Sequence, residues 1–268
     1  MWPDKNITSL QNSGVKKIIG LREKKNRQES GLMLVEGLRE VLKAREAGVE
    51  FKELYLCRDF LGDSHQKEFF SQAESKGICI YEATPKIFSK FSFGERQEGI
   101  IAVCRTPART LSGLALSKTP LLVVMEGAEK PGNVGAILRT CDCAGVEAVM
   151  VCGQAGDLYN PNTIRASLGS IFCVPTVQSD NSAILSFLKN NKIKIVATAP
   201  SAEIIYTQAD FKGPSAIVLG AEQSGLSDFW LRNSEIQVKI PIFGRSDSLN
   251  VSAAAAVMIY EAIRQRKF

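Results

Sequence analysis

The sequence predicts an α/β protein of two domains, a small one followed by a larger one built on a mostly parallel sheet. Short apolar runs alternate with helical patterns almost from end to end, as in a sheet covered by helices. One stretch rich in Ser, Thr and Pro, "TPARTLSGLALSKTP" (Thr106–Pro120), breaks that alternation without a long apolar period and reads as a linker. A chain of 268 residues also suits two ordinary domains better than one.

In chain order, Val15, Ile18, Ile19 and Leu21 fit one helix, and "LMLVEGLREVLKAREAG" fits a second, ending at Gly48. "ELYLC" reads as a strand, "HQKEFFSQAESKG" as a helix, "ICIYEA" as a strand, "PKIFSKF" as a short helix and "EGIIAVC" as a strand. The expected layout is a basic helical segment over 1–30, an α/β unit over 31–106, a linker over 107–120 and a larger domain over 121–268. In the last of these, strands at "PLLVVME", "VEAVMVCG", "VPTV", "KIKIVAT", "SAIVLG" and "IQVKIPI" alternate with helices at "GNVGAILRTCDCAG", "PNTIRASLG" and "NSAILSFLKNN". In parallel sheets ligands sit beyond the carboxyl ends of the strands, which directs attention to the loops after "LLVVME", "AIVLG" and "QVKIPI".

Composition removes several classes of function. Hydrophobic residues at 45% and charged residues at 23% suit a soluble protein with a real core. No apolar run approaches the roughly 20 residues needed to span a bilayer. "MWPDKNITSL" lacks the layout of a signal peptide, so a cytosolic setting is expected. The seven cysteines are odd in number and form no CxxC pair, which suggests neither a disulfide framework nor a zinc site. They read as small buried hydrophobes. The single histidine, His65, lies in the polar "GDSHQKE" and reads as a solvated surface residue, which disfavours histidine acid–base chemistry. Neither GxxxxGK[ST] nor GxGxxG occurs, which disfavours a nucleotide hydrolase or a dehydrogenase. The net charge of +5 is uneven: seven basic residues, Lys24, Lys25 and Arg27 among them, stand against three acids in the first 29 positions. Such a segment suits RNA, and equally a solvated helix face.

Three loops share a character. In "EGAEKPGNVGAILRT", Pro131 and Gly132 make a turn, Asn133 is placed to cap the next helix, and Arg139 follows in its early turns. In "VLGAEQSGLSDFW", Gly220 ends a buried strand where a ligand can meet bare backbone, Glu222 projects from a turn, and Ser227 can cap the helix that begins at Asp228. In "IPIFGRSDSLNVS", Pro241 and Gly244 mark the exit from a strand. The polar cluster Asp247, Ser248 and Asn250 then opens a helix with four consecutive alanines, Ala253 to Ala256.

"PGNVGAILRT", "LGAEQSGLS" and "SLNVSAAAAVMIYE", in this order and at these spacings, resemble the three motifs of the SpoU/TrmH family of S-adenosylmethionine-dependent RNA 2′-O-ribose methyltransferases. "YNPNTIRASLGS", with Arg165, and "FGERQEGIIAVC" are similar to other parts of the family. The N-terminal half resembles the small substrate-binding domain that many members carry. The resemblance implies a trefoil knot in the C-terminal part, a homodimer, S-adenosylmethionine as methyl donor, no metal, and RNA as partner. It implies that Asn133 and Arg139 position the nucleotide, with Arg139 clamping a phosphate and stabilising alkoxide charge. Glu222 would fix the loops, Ser248 and Asn250 would hydrogen-bond in the third motif, and backbone around Gly220, Ile240 and Leu249 would read the cofactor. Arg165, Lys24, Lys25 and Arg27 are the further candidates for RNA contact. Family members acting on transfer RNA often lack the extra domain, so ribosomal RNA is the expected substrate. A transfer-RNA methyltransferase and a non-catalytic RNA-binding or ribosome-assembly factor are the alternatives.

Overall fold

A computed structural model of the chain describes residues 5–61, 73, 75, 77–93, 98–153 and 156–267. It divides into two compact units, residues 1–107 with 159–172, and residues 108–158 with 173–268.

The first unit holds a five-stranded sheet of β1 (Asn6–Ile7), β2 (Leu32–Glu36), β3 (Phe51–Leu56), β4 (Cys79–Ala83) and β5 (Ile100–Arg105), in the order β1-β4-β3-β5-β2. β5 runs antiparallel to both its neighbours, and β1, β4 and β3 are mutually parallel. Two expectations change here. "LMLVEGLREVLKAREAG" is not one helix: "LMLVE" is β2, paired along its whole length with β5, and the helix α3 begins only at Leu38 and ends at Glu46. A short run of consecutive apolar residues cannot be assigned by periodicity alone. The divider is Gly37, whose φ of 104° terminates the strand in a conformation open to glycine.

The N-terminal segment is likewise two helices, α1 (Ser13–Gly20) and α2 (Lys24–Ser30). Asn12 caps the first by accepting from Gly14 N at 2.8 Å. Ile7, Val15, Ile18 and Leu21 share one core cluster with Tyr55, Phe88 and Phe91, so this segment belongs to the body of the unit. Phe88 and Phe91 come from α4 (Pro85–Phe91). Within "HQKEFFSQAESKG" only Ala73, Ser75 and Gly77 are described, Ala73 and Ser75 being helical, and His65 lies outside the described residues.

The turn after α4 is gripped from three sides. Arg22 donates to Phe91 O and Ser92 O at 2.8 and 2.9 Å and lies over the Phe93 ring. Arg165, on the short helix Pro161–Ala166, donates to Phe93 O. Glu36, only 5% exposed, accepts from Phe93 N at 2.6 Å through Oε2, while its buried Oε1 has no hydrogen-bond partner among the described residues. Burial pushes the Glu36 carboxyl up to about 7, against the Phe93 N–H and the charges of Arg165 and Arg22, with Glu98 adding to the rise.

The second unit carries β6 (Leu121–Glu126), β7 (Ala148–Cys152), β8 (Thr176–Gln178), β9 (Lys194–Thr198), β10 (Ile204–Ile205), β11 (Ser215–Leu219) and β12 (Ile236–Lys239). Its sheet has the order β10-β12-β9-β11-β6-β7-β8, and every pairing is parallel. The central strands β6, β7 and β11 are buried at every residue, as a sheet covered on both faces requires. The helices are α5 (Pro131–Ala144), α8 (Asn181–Asn190), α9 (Asp228–Asn233) and α10 (Val251–Lys267); between α5 and α8 the chain supplies α6 (Pro161–Ala166) and α7 (Ser170–Cys173), of which α6 packs on β2 of the first unit. The expected linker is irregular apart from one 3₁₀ turn at Leu111–Gly113. It is no loose tether, because Leu111, Leu114 and Leu116 pack on the core cluster that contains fully buried Trp230.

None of the seven cysteines is in a disulfide; Cys57, Cys104, Cys141 and Cys152 are buried, and Cys143 and Cys173 are exposed. Among the described residues no group of His, Cys, Asp and Glu could hold a metal ion, and no helix is long and apolar enough to cross a membrane.

Because the Glu36 carboxyl titrates higher in the folded protein than in an unfolded chain, the native state binds the extra proton between about pH 4.5 and 7. Stability should therefore fall as pH rises through that window. Glu36→Gln cannot ionise yet keeps an acceptor for Phe93 N, so it should flatten the fall and add on the order of 2 kcal/mol at pH 8. Denaturant midpoints measured from pH 4.5 to 8 check this; parallel curves for the two proteins would refute it.

Candidate active site

The second unit opens a cavity of about 640 Å³ whose walls come from the carboxyl ends of β9, β11 and β12 and from the start of α10. Its polar lining includes Lys130, Thr198, Glu222, Ser248 and Asn250; Ile240, Ile242, Leu249 and Ala254 supply an apolar side. Residues from all three loops singled out in the sequence meet here, because parallel strands deliver their carboxyl ends to one edge of the sheet.

A chain of hydrogen bonds joins those loops. Asn133 donates through Nδ2 to Glu222 Oε1, and Lys130 forms an ion pair with Glu222 Oε2. Asn250 donates through Nδ2 to Asn133 Oδ1 at 3.2 Å. Asn250 Oδ1 in turn accepts from Ser252 N and Ser252 Oγ at 2.9 and 2.7 Å, which caps the first turn of α10. Desolvation acts to raise the Glu222 carboxyl, but the hydrogen bonds from Lys130 and Asn133 outweigh it and hold the group below its ordinary value. The site therefore carries a fixed carboxylate whose two oxygens are both engaged.

Two capping roles expected from the sequence are not taken up. Helix α5 begins at Pro131 with Lys130 before it, so Asn133 lies inside the helix and its amide is free to reach across to Glu222. Ser227 stands at the start of α9 without capping it; its N–H and hydroxyl both go to Glu126, at 2.8 and 2.7 Å. Glu126 ends β6, is buried, and also accepts from Asn181 at 3.1 Å. It ties the returning end of the 220–227 loop to the central strand.

Gly220 lines the cavity, but its lack of a side chain answers another demand. A Cβ there would run into the backbone of Gly225 and Leu226, where Ala221 and Gly225 exchange two hydrogen bonds in a tight loop. The alanines of α10 divide their work: Ala254 lines the cavity and Ala255 is fully buried.

Ser248, Ile240 and Leu249 line the cavity. Arg139 does not. Six residues beyond Asn133, it lies roughly 120° around α5 from it and about 9 Å along the axis. It is exposed and has no hydrogen bond or ion pair among the described residues. Arg165 belongs to the first unit, where Phe93 O occupies it. Lys24 and Lys25 are exposed on α2, but Arg27 is buried and donates to Leu21 O and Arg22 O at 2.6 Å, a structural place rather than the exposed one expected.

Sequence reasoning missed Lys130, Glu126 and Thr198. Lys130 directly precedes the turn at Pro131, and its partner lies 92 positions away, so no local signal marks the pair. Thr198 ends β9 beside the cavity, and its buried Oγ1 has no hydrogen-bond partner among the described residues. The rule that ligands meet strand carboxyl ends could have found it.

The model of the SpoU rRNA Methylase family matches residues 120–260, and that of the MRM3-like substrate binding domain matches residues 12–102. The 23S rRNA (uridine(2479)-2′-O)-methyltransferase of Streptomyces viridochromogenes is 32% identical over 182 residues, 65% of this chain and 63% of that protein. A solved RNA 2′-O ribose methyltransferase superposes with a TM-score of 0.85 at 39% identity, covering 98% of this chain and all of that one. An AdoMet-bound rRNA methyltransferase from Sinorhizobium meliloti gives 0.90 at 28% identity, with 97% of each chain covered.

Gly220→Ala should lower stability by about 1–3 kcal/mol, since backbone has to move to admit the methyl group. Calorimetric melting checks it; an unchanged melting temperature would show that the loop accommodates a Cβ.

Proposed function

The chain belongs to the SpoU rRNA methylase family, and from that premise we propose that it moves a methyl group from S-adenosylmethionine to a ribose 2′-hydroxyl of ribosomal RNA. The observation that carries this is the bonded series Lys130–Glu222–Asn133–Asn250, which joins three separate segments beside one cavity that Lys130, Glu222 and Asn250 line.

The cavity suits the cofactor. Its mixed lining offers an apolar slot for an adenine, and the orphaned Thr198 hydroxyl is a buried polar group in need of a ligand partner. Backbone at Gly220, Ile240 and Leu249 would hold the rest. The cofactor supplies an activated methyl group on a sulfonium, an excellent leaving group. What remains for the protein is to place the 2′-hydroxyl in line with the sulfonium S–C bond and to ease the loss of its proton as the new O–C bond forms.

Asn133 and Asn250, locked by Glu222 and Ser252, present oriented amides to the ribose side, with Ser248 beside them. Arg139 has its guanidinium free among the described residues, and it clamps the adjacent phosphate and stabilises the developing alkoxide charge. The first unit holds the RNA, with Lys24 and Lys25 on its exposed surface. The order β12-β9-β11-β6, followed by α10 packing against β11 and α5, supports a trefoil knot. The half-exposed Tyr260 on α10 supports a homodimer through this unit, working in the cytoplasm where ribosomes are made.

The test is transfer from radiolabelled S-adenosylmethionine to separate pools of unmodified ribosomal and transfer RNA, followed by alkali. Label in alkali-resistant dinucleotides from the ribosomal pool is expected; label from the transfer-RNA pool alone would change the substrate, and base-bound label would change the reaction. Arg139→Ala should lose roughly 10²–10³-fold in kcat while its calorimetric affinity for S-adenosylmethionine stays within about twofold. A normal kcat would remove Arg139 from the chemistry. Thr198→Val should weaken cofactor binding by about 3–10-fold without loss of thermal stability, because the free protein loses only an unpaired hydroxyl. Undiminished affinity would exclude Thr198 as a cofactor contact.

A further inference from the structure

The loop from β12 to α10 carries Phe243, whose side chain is 97% exposed; among the described residues no other large hydrophobic exceeds 50%. Leaving a phenylalanine in water forgoes about 1.5–3 kcal/mol of burial. The immediate neighbours make the position specific. Ile242 before it and Asp247 to Asn250 after it line the cavity, while Phe243 does not. The ring therefore stands in solvent, on the loop that forms the cavity wall but outside the lining.

Gly244, Arg245, Ser246, Asp247 and Ser248 follow, all exposed and none apolar. A protein partner calls for a contiguous apolar patch, and here the partly exposed Ile242 and Leu249 already belong to the cavity. A lone ring among polar residues, with an arginine two positions away, instead matches the way unpaired RNA is held: a base stacks on the aromatic face while a cation meets the phosphate. The reaction gives a reason for that geometry. A 2′-hydroxyl packed within a duplex is hard to bring in line with a methyl donor at the bottom of a cavity, so its nucleotide has to leave the stack.

We infer that Phe243 is a stacking platform for an unpaired nucleobase at the mouth of the cavity, holding the target nucleotide or its neighbour as the ribose enters. This rests on the proposed RNA methylation. It makes Phe243 a substrate-positioning residue whose contribution is insensitive to base identity, since every base has a π-face.

Phe243→Ala, Phe243→Leu and Phe243→Tyr separate a stacking ring from a merely apolar one. With unmodified ribosomal RNA, alanine and leucine should each raise KM for RNA about 5–100-fold, and tyrosine should behave as the parent. S-Adenosylmethionine affinity and the mass by light scattering should not change in any variant. Phe243→Trp provides a direct signal: beyond the response of the parent protein's Trp2 and Trp230, the added indole should be quenched by ribosomal RNA. Rescue by leucine, a changed oligomeric mass in Phe243→Ala, or absence of quenching while the parent protein methylates RNA would each overturn the stacking role alone. A parent protein that binds no S-adenosylmethionine and methylates no RNA would overturn the reaction and the stacking role together.

Discussion

The cavity depends on one close approach of backbone to backbone. Where β11 ends at Leu219, Gly220 passes so near Gly225 and Leu226 that no side chain fits between them. Ala221 and Gly225 close the loop on itself, and Glu126 seizes its far end through Ser227. Only with both ends pinned does Glu222 stand still. An exposed carboxylate on a free loop would sample many rotamers, and its hydrogen bonds would have to offset that entropy each time. Held between two fixed points, it can orient Asn133, and Asn133 can accept from Asn250.

The energetics of this series lie in order more than in stability. The Lys130 side chain is 67% exposed, and ion pairs of that kind contribute little in water. The pair, together with Asn133, keeps Glu222 below its ordinary value, and the ionised group determines the direction of the bond from Asn133: a carboxylate can only accept, so Nδ2 must point to it and Oδ1 must point away. That leaves Oδ1 to receive Asn250. The orientation of two amides thus follows from the charge of one acid.

The alternation of strands and helices was legible in the second unit because its strands are apolar runs closed by glycines, prolines and asparagines. The meeting of three loops was legible because parallel strands end together. Less legible was anything settled by partners far apart in the sequence. "LMLV" could be taken for a helix because only its pairing with Val103 and Cys104 makes it a strand. Arg27 looked like a phosphate ligand because nothing local shows that the carbonyls of Leu21 and Arg22 turn toward it. Asn133 looked like a cap because its actual partner, Glu222, lies 89 positions on. Polar residues at the mouth of a site are claimed by tertiary partners, and local preference is what those partners override.

A carboxylate at the proposed RNA site raises an electrostatic question, and the answer bears on Arg139. Were Glu222 paired with Arg139, the one charge best suited to a phosphate would be consumed in the free protein, and RNA would have to break that pair to enter. Lys130 takes the carboxylate instead, and its flexible ammonium neutralises Glu222 without needing a planar, two-pronged geometry. The guanidinium, whose fork matches phosphate, stays unpaired among the described residues. Dividing the two cations in this way removes the repulsion and leaves the better phosphate ligand available. The lysine, invisible as a site residue in the sequence, is what leaves the arginine unclaimed by Glu222.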